Sequence, residues 1–354
     1  MPIFYITKLT NYIQKRLLIY SLNIKSQEVN LPERVLTTIK NLDFAAKKSK
    51  NIIENVQKVI IGKDLEIEFC VIALLCQGHV LIEDAPGLGK TVLAKSLANS
   101  TNLSFSRIQF TPDLLPADVT GVSIYNQKTE NFNFMPGPII SQFVLADEIN
   151  RASPKTQSAL LEAMDEKQVT VENTTHEINL PFFVIATQNS VEYEGTYPLP
   201  EAQLDRFMFK INLGYPNKEE ELKILSSQEK SHPLKQITQV ISSKEILEIQ
   251  TLVKTIFVDE LIRNYIVDII KSTRKNPNIS LGSSPRGGLN LFRSSQALAL
   301  IRGRDYVLPD DVKSLVIPTL NHRVLLSQSA EMNNISSHKV LSEILDAHPV
   351  PEAK

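Results

Sequence analysis

The sequence predicts an α/β fold in which a parallel sheet is sandwiched by helices and followed by a smaller all-helical domain. Three observations predict it. Short apolar runs alternate with helix-periodic segments from about Asn51 to Leu213, as parallel strands joined by crossover helices require. A glycine-rich turn joins the first of these strands to the helix after it. Beyond Pro216 the strand signals stop and amphipathic helices take over.

Residues 1 to 45 form a basic leader in which Lys8, Lys15, Arg16 and Lys25 precede the first acid, Glu28. The apolar piece Leu17 to Tyr20 is too short for a secretory signal. A variable surface appendage, or a start codon set too far upstream, is expected there; a targeting peptide or membrane-surface helix is the alternative. Residues 46 to 214 are expected to form the sheet domain. In it, Asp64 to Gln77, Lys90 to Ser100 and Pro154 to Glu166 have helical spacing, and His79 to Asp84, Phe143 to Ala146 and Phe182 to Ala186 form buried strands. The helical domain spans residues 215 to 330, with helices at Lys244 to Lys254, Asp259 to Thr273 and Pro285 to Ile301 and a fourth opened by Pro309 and Asp310. Residues 331 to 354 read as a weakly patterned tail.

Composition narrows the function. The 38 basic and 39 acidic side chains nearly cancel, so no whole-chain field favours nucleic acid or an anionic membrane. The longest apolar run, Phe69 to Cys76, falls far short of the roughly 20 residues that cross a bilayer. Cys70 and Cys76 would sit about 9 Å apart along a helix, too far to bridge. They read as apolar filler in a protein of a reducing, cytoplasmic compartment. The six histidines form no zinc-ligand grouping.

The chemistry begins at Asp84-Ala85-Pro86-Gly87-Leu88-Gly89-Lys90-Thr91-Val92. Gly87 and Gly89 let successive backbone N–H groups curve around a phosphate, at which the next helix aims its positive end. Lys90 can reach the β- and γ-phosphates and the Thr91 hydroxyl can ligate Mg²⁺. Asp84 stands where the usual pattern has glycine. Its carboxylate is expected to point away from the phosphates.

A second motif, Phe143-Val-Leu-Ala-Asp147-Glu148, is an apolar strand that ends in two carboxylates. Asp147 is expected in the Mg²⁺ shell and Glu148 as the base that polarises water, which favours hydrolysis over phosphoryl transfer to a small molecule. The strand Phe182 to Ala186 runs out into Asn189, whose amide can meet the γ-phosphate or the water. Pro200 opens a short helix that delivers Arg206, a candidate arginine finger. Ser284-Pro285-Arg286 reads as cap, first-turn proline and arginine, holding Arg286 over a nucleotide between the domains. On this reading Lys90, Asp147 and Arg286 converge on one triphosphate, with Arg286 supplied by the same chain or by a neighbouring subunit.

Taken in order, these motifs resemble the AAA+ ATPases, and within them the MoxR family. The family-like strings are Arg107-Ile-Gln-Phe-Thr-Pro-Asp-Leu-Leu-Pro-Ala-Asp118, Met135-Pro-Gly-Pro-Ile139, Asp147 to Met164 and Glu201-Ala-Gln-Leu-Asp-Arg-Phe207. The resemblance covers about residues 47 to 328. It implies a P-loop NTPase core with a helical lid, ATP at subunit interfaces of a hexameric ring, and chaperone work in the maturation of other proteins or the insertion of their cofactors. It also implies a partner with a von Willebrand factor A domain. Two other functions are carried alongside, a nucleic-acid motor and a metal-chelatase subunit. The first would need a basic, aromatic-interleaved patch, which is not found. The Gly121 to Gly137 insert, with Tyr125, Phe132 and Phe134, and the tip Asn173 to His176 read either as substrate-gripping loops or as hairpins packed on the core.

Overall fold

The computed structural model describes residues 33–128, 130–189, 196–228 and 233–350. Residues from Leu42 onward form one compact unit, which holds both the sheet and the lid. The basic leader lies outside the described residues as far as residue 32.

The sheet is built from β1 (Val80–Glu83), β2 (Phe105–Gln109), β5 (Phe143–Asp147), β8 (Phe183–Gln188) and β9 (Phe209–Ile211). Two antiparallel hairpins interrupt it in sequence, β3 (Gly121–Asn126) with β4 (Asn131–Pro136) and β6 (Gln168–Val171) with β7 (Thr174–Glu177). The sheet order is β2-β5-β8-β1-β9, with every neighbouring pair parallel. Helices cover both faces, which is why the inner strands are continuous apolar runs. Successive residues alternate between two cores. Val80, Ile82, Phe143, Leu145, Phe183 and Ile185 enter one, with the helices Asp64–Leu75 and Lys90–Thr101. Leu81, Val144, Ala146, Val184 and Ala186 enter the other, with Leu160, Leu161 and Met164 of the helix Pro154–Glu166.

Two strands carry no strong sequence signal. The first, β2, lies at a sheet edge and is only partly buried, so Ser106, Arg107 and Gln109 dilute its apolar pattern. The second, β9, has only three residues.

The lid follows the helix Lys218–Gln228. Its helices Ser243–Val253, Glu260–Lys275, Pro285–Ile301 and Pro309–Leu320 begin within a residue of the expected starts. Side-chain caps set three of those starts: Ser242 accepts from Glu245 N, Asp259 from Leu261 N and Ser284 from Arg286 N. Two features depart from the expectation of helices and then a loose tail. A short antiparallel pair, β10 (Ile279–Leu281) with β11 (Leu325–Leu326), lies within the lid. Past Glu331, the helix Ser337–Ala347 is capped by Ser336 and buries Val340, Leu341 and Ile344. It packs on the helices Pro309–Leu320 and Glu260–Lys275, so one apolar stripe is enough to anchor it. No helix among the described residues is long and apolar enough to cross a membrane. Cys70 and Cys76 are both free.

The hairpins are largely solvent-facing. Tyr125 is 50% and Phe132 66% exposed, so they do not pack into the core. Phe134 instead stacks on His176 of the β6–β7 hairpin, with ring centroids 3.7 Å apart.

At the N-terminal end of β1, His79 is buried, with Nδ1 accepting from Val184 N at 3.0 Å and Nε2 3.2 Å from Met164 O. These partners assign the proton to Nε2 and leave the second nitrogen facing an N–H donor. Burial pushes the His79 pKa down to about 4. Because the folded value lies below the unfolded one of about 6.5, stability is present in full above pH 6.5 and falls as the unfolded chain takes up the proton that the folded site refuses. Urea unfolding between pH 6.5 and 5 should therefore lose stability from this group with a slope that steepens toward about 1.4 kcal/mol per pH unit. In His79→Asn, whose side chain does not titrate, the slope should flatten by that amount.

Candidate functional site

Parallel register brings the polar ends of three strands to one edge of the sheet. Glu83 pairs with Gln188 and Gln109 with Asp147, so the residues that follow β1, β5 and β8 emerge side by side. This is the edge at which open α/β sheets bind ligands.

The loop Asp84 to Gly89 leads from β1 into the helix Lys90–Thr101, which Thr91 and Val92 continue. Gly87 and Gly89 have φ of 87° and 85°, left-handed values that side chains disfavour. Gly89 is also the helix N-cap, and no side chain caps the first turn. A Cβ added at either glycine would meet nothing within 4 Å beyond its chain neighbours. An uncapped helix start beside a roomy, donor-rich turn fits a phosphate.

The Lys90 side chain folds back along this loop. Its Nζ donates to Asp84 O at 2.7 Å and to Asn189 Oδ1 at 3.2 Å. Burial lowers the Lys90 pKa, and the nearby carboxylates of Asp84, Asp147 and Glu148 oppose that shift. The Asp84 carboxylate accepts from Ala85 N at 2.8 Å and Gly214 N at 2.6 Å. Two backbone donors thus engage the carboxylate that replaces the glycine of the usual pattern.

Asp147 and Glu148 end β5 differently. Asp147 is buried, and its Oδ1 accepts the Thr187 hydroxyl at 2.6 Å. Its Oδ2 accepts Arg107 Nε at 3.1 Å and Nη2 at 2.7 Å. Glu148 turns out of the strand at φ 57°. Its Oε1 accepts from Asn189 Nδ2 at 3.3 Å, and its Oε2 from Arg151 Nη1 at 2.8 Å and Gln109 Nε2 at 3.2 Å. Asn189 therefore uses both ends of its amide, one on Lys90 and one on Glu148, and joins the three strand ends in one chain of hydrogen bonds.

Arg206 and Arg286 lie elsewhere. Arg206 Nε is 3.1 Å from Asp165 Oδ2, and Arg286 Nη2 is 2.6 Å from Asp165 Oδ1. Asp165 follows Met164, the partner of His79, and Met208 N donates to His79 O. The arginines are thus at the N-terminal end of β1 and Lys90 beyond its C-terminal end, separated by roughly 16 Å of strand. The expected convergence of Lys90, Asp147 and Arg286 within one chain is not met. The lid instead docks on the far end of the sheet, where Ser284 Oγ donates to Asp205 Oδ2 at 3.1 Å and Arg323 Nε to Asp205 Oδ1 at 2.7 Å.

Known proteins match both the sheet domain and the lid. Residues 79–209 match the ATPase family associated with various cellular activities (AAA), and residues 271–344 the AAA lid domain. The Mycobacterium tuberculosis protein named Chaperone MoxR1 is 42% identical over 309 residues, 85% of this chain and 81% of that one. The chain belongs to the MoxR family of AAA+ ATPases. It is an ATPase of the MoxR chaperone type, with the nucleotide binding that the family implies. Another family relative, the Bacillus subtilis protein named YeaC, is 53% identical over 300 residues, 84% of this chain and 93% of its own. A crystal structure from Cytophaga hutchinsonii superposes with a TM-score of 0.84 at 40% identity, covering 91% of this chain and all of that one.

The sequence reading assigned no role to Arg107 or Asp165. Arg107 and Gln109 alternate along β2, so a period of two could have shown that both face the carboxylates. Asp165 carries no local signal, because its partners come from 41 and 121 residues away.

Thr187 is buried, and its hydroxyl both donates to Asp147 Oδ1 and accepts from Glu148 N at 2.9 Å. Thr187→Val should cost about 1–3 kcal/mol in urea unfolding, because the buried Asp147 carboxylate and the half-buried Glu148 N–H each lose a partner. Thr187→Ser should keep most of the stability.

Proposed function

We propose that this protein hydrolyses ATP with Mg²⁺ and uses the energy to remodel protein clients, working as a ring of identical subunits with six as the expected number. The observation that carries the reading is the hydrogen-bonded chain Lys90–Asn189–Glu148, with Asp147 beside it and the open glycine loop in front. On this reading residues 46–214 are the ATPase core and 215–330 the lid.

The loop Asp84 to Val92 binds the triphosphate, its N–H groups and Lys90 meeting the phosphate oxygens. Thr91 and Asp147 would hold Mg²⁺, which when bound neutralises charge on the β- and γ-phosphates. Few protein ligands suit Mg²⁺, which keeps several waters and substrate oxygens, and no cluster of three candidate ligands occurs among the described residues. Glu148 takes a proton from the attacking water, and Asn189 fixes the Glu148 carboxylate and senses the γ-phosphate through its link to Lys90. Arg107 holds Asp147 in place.

Arg206 and Arg286 stand too far from Lys90 to meet the same nucleotide, which supports their acting on the site of the next subunit. Their spread positive charge would stabilise the γ-phosphoryl group in transfer. The exposed Tyr125 and Phe132 favour the substrate-gripping reading of the β3–β4 hairpin over a packing role. A partner with a von Willebrand factor A domain and a cytoplasmic location belong to the same proposal.

Glu148→Gln should bind ATP with near-normal affinity while turnover falls by about 10²-fold or more, as read by nucleotide fluorescence and phosphate release. Turnover near that of the parent would remove Glu148 from this role. Arg206→Ala and Lys90→Ala, each with strongly reduced but measurable turnover alone, should regain part of the activity when mixed. The mixture then contains interfaces with an intact loop on one side and an intact arginine on the other. Mixtures that assemble but stay inactive would argue against a shared site.

A further inference from the structure

Three elements distant in sequence meet at the N-terminal end of β1: the C-terminal turn of the helix Pro154–Glu166, the turn after the helix Glu201–Leu204, and the first turn of the helix Pro285–Ile301. Two guanidinium groups come together there, and one carboxylate lies between them. Each Asp165 oxygen takes a different arginine, Oδ2 the Arg206 Nε and Oδ1 the Arg286 Nη2. Two like charges brought this close repel, and a carboxylate shared between them offsets the repulsion. The mode of pairing matters as well. Arg206 pairs with Asp165 by charge, Nε being its nearest nitrogen, and no hydrogen bond among the described residues uses any of its guanidinium nitrogens. Arg286 is held through one terminal nitrogen and keeps the other. Both side chains are thus oriented while their donors for phosphate oxygens stay available.

Asp165 adds little to folding. Its side chain is 28% exposed, with the arginines at 31% and 41%, and ion pairs of that exposure contribute little to stability. Its backbone is nevertheless well anchored, since the buried His79 ring holds the carbonyl of Met164. The surroundings also place the arginines independently of Asp165. Asp205, next to Arg206, is tied to Ser284, two residues before Arg286, and to the buried Arg323. What Asp165 alone supplies is the side-chain direction of two cations.

We infer that Asp165 is a positioning residue that presents Arg206 and Arg286 as one paired unit to the γ-phosphate held by a second copy of this chain. The inference rests on the proposed role of those two arginines between subunits. Its chemistry is orientation: a group misplaced by about 1 Å can cost roughly 10²-fold in rate, and without the shared carboxylate the two cations would splay apart.

The test uses full-length protein with Asp165→Asn and Asp165→Glu, Arg206→Ala, Arg286→Ala and combinations of them. Turnover is followed by phosphate release from ATP, affinity by a fluorescent ATP analogue, and folding by thermal unfolding. In Asp165→Asn, kcat should fall by about 10- to 100-fold, with nucleotide affinity and unfolding midpoint close to the parent, because Lys90 and its loop are remote. Asp165→Glu, which keeps the carboxylate, should recover part of the loss. In the Arg206→Ala, Arg286→Ala double background, Asp165→Asn should have no further effect. Parental kcat in Asp165→Asn, or an equal loss in the double-arginine background, would overturn the inference while leaving the arginines in their proposed role. Parental kcat in both arginine variants would overturn that role and the inference with it.

Discussion

Parallel pairing in register is the constraint on which the site depends. The register that places Ile82 beside Thr187 and Gln109 beside Asp147 also brings the ends of β1, β5 and β8 to one level. A slip of one residue would turn every side chain to the opposite face, taking Thr187 off Asp147. Apolar burial on both sides holds the register, since Phe143, Leu145, Phe183 and Ile185 fill one core while Val144, Ala146, Val184 and Ala186 fill the other. A polar cluster at the strand ends is thus positioned by hydrophobic packing rather than by its own hydrogen bonds.

The two ends of β1 hold clusters of different character. Lys90 lies among the carboxylates beyond the C-terminal end, and two arginines share Asp165 near the N-terminal end. Roughly 16 Å of strand lies between them, far beyond hydrogen-bond or ion-pair reach. Within one chain the two clusters therefore do not touch, and an influence of one on the other runs through the sheet or through a neighbouring molecule. The lid belongs mechanically to the arginine end, where Arg323 is buried against Asp205 and donates to the carbonyls of Phe207 and Met208. Packed beside it, His322 is also pushed well below its usual pKa by burial and by the Arg323 charge.

Much of the candidate site was legible because its residues lie in contiguous strings. A strand running into glycines and Lys90, another into Asp147 and Glu148, and a third into Asn189 each announce their chemistry locally. The lid helices were legible from apolar spacing and from caps such as Ser284 and Asp259, where a side chain replaces a missing backbone partner. Strand β2 escaped because an edge strand need not be apolar on both faces, and β9 because three residues establish no period. The helix Ser337–Ala347 escaped because its signal is a single stripe of Val340, Leu341 and Ile344 in polar surroundings.

What the sequence determined alone is the set of local chemistries: a loop that needs glycine at positive φ, strands that must be buried on both faces, acids at strand ends and helices started by polar caps. These arise from interactions between residues a few positions apart. The tertiary structure alone decided which charges meet. Arg107 meets Asp147 across 40 residues, Arg206 and Arg286 meet on Asp165, and Arg323 reaches Asp205 across 118 residues. Those pairings depend on strand order and on where the lid docks, and both are set by the packing of whole apolar faces, for which no short stretch of sequence carries the information.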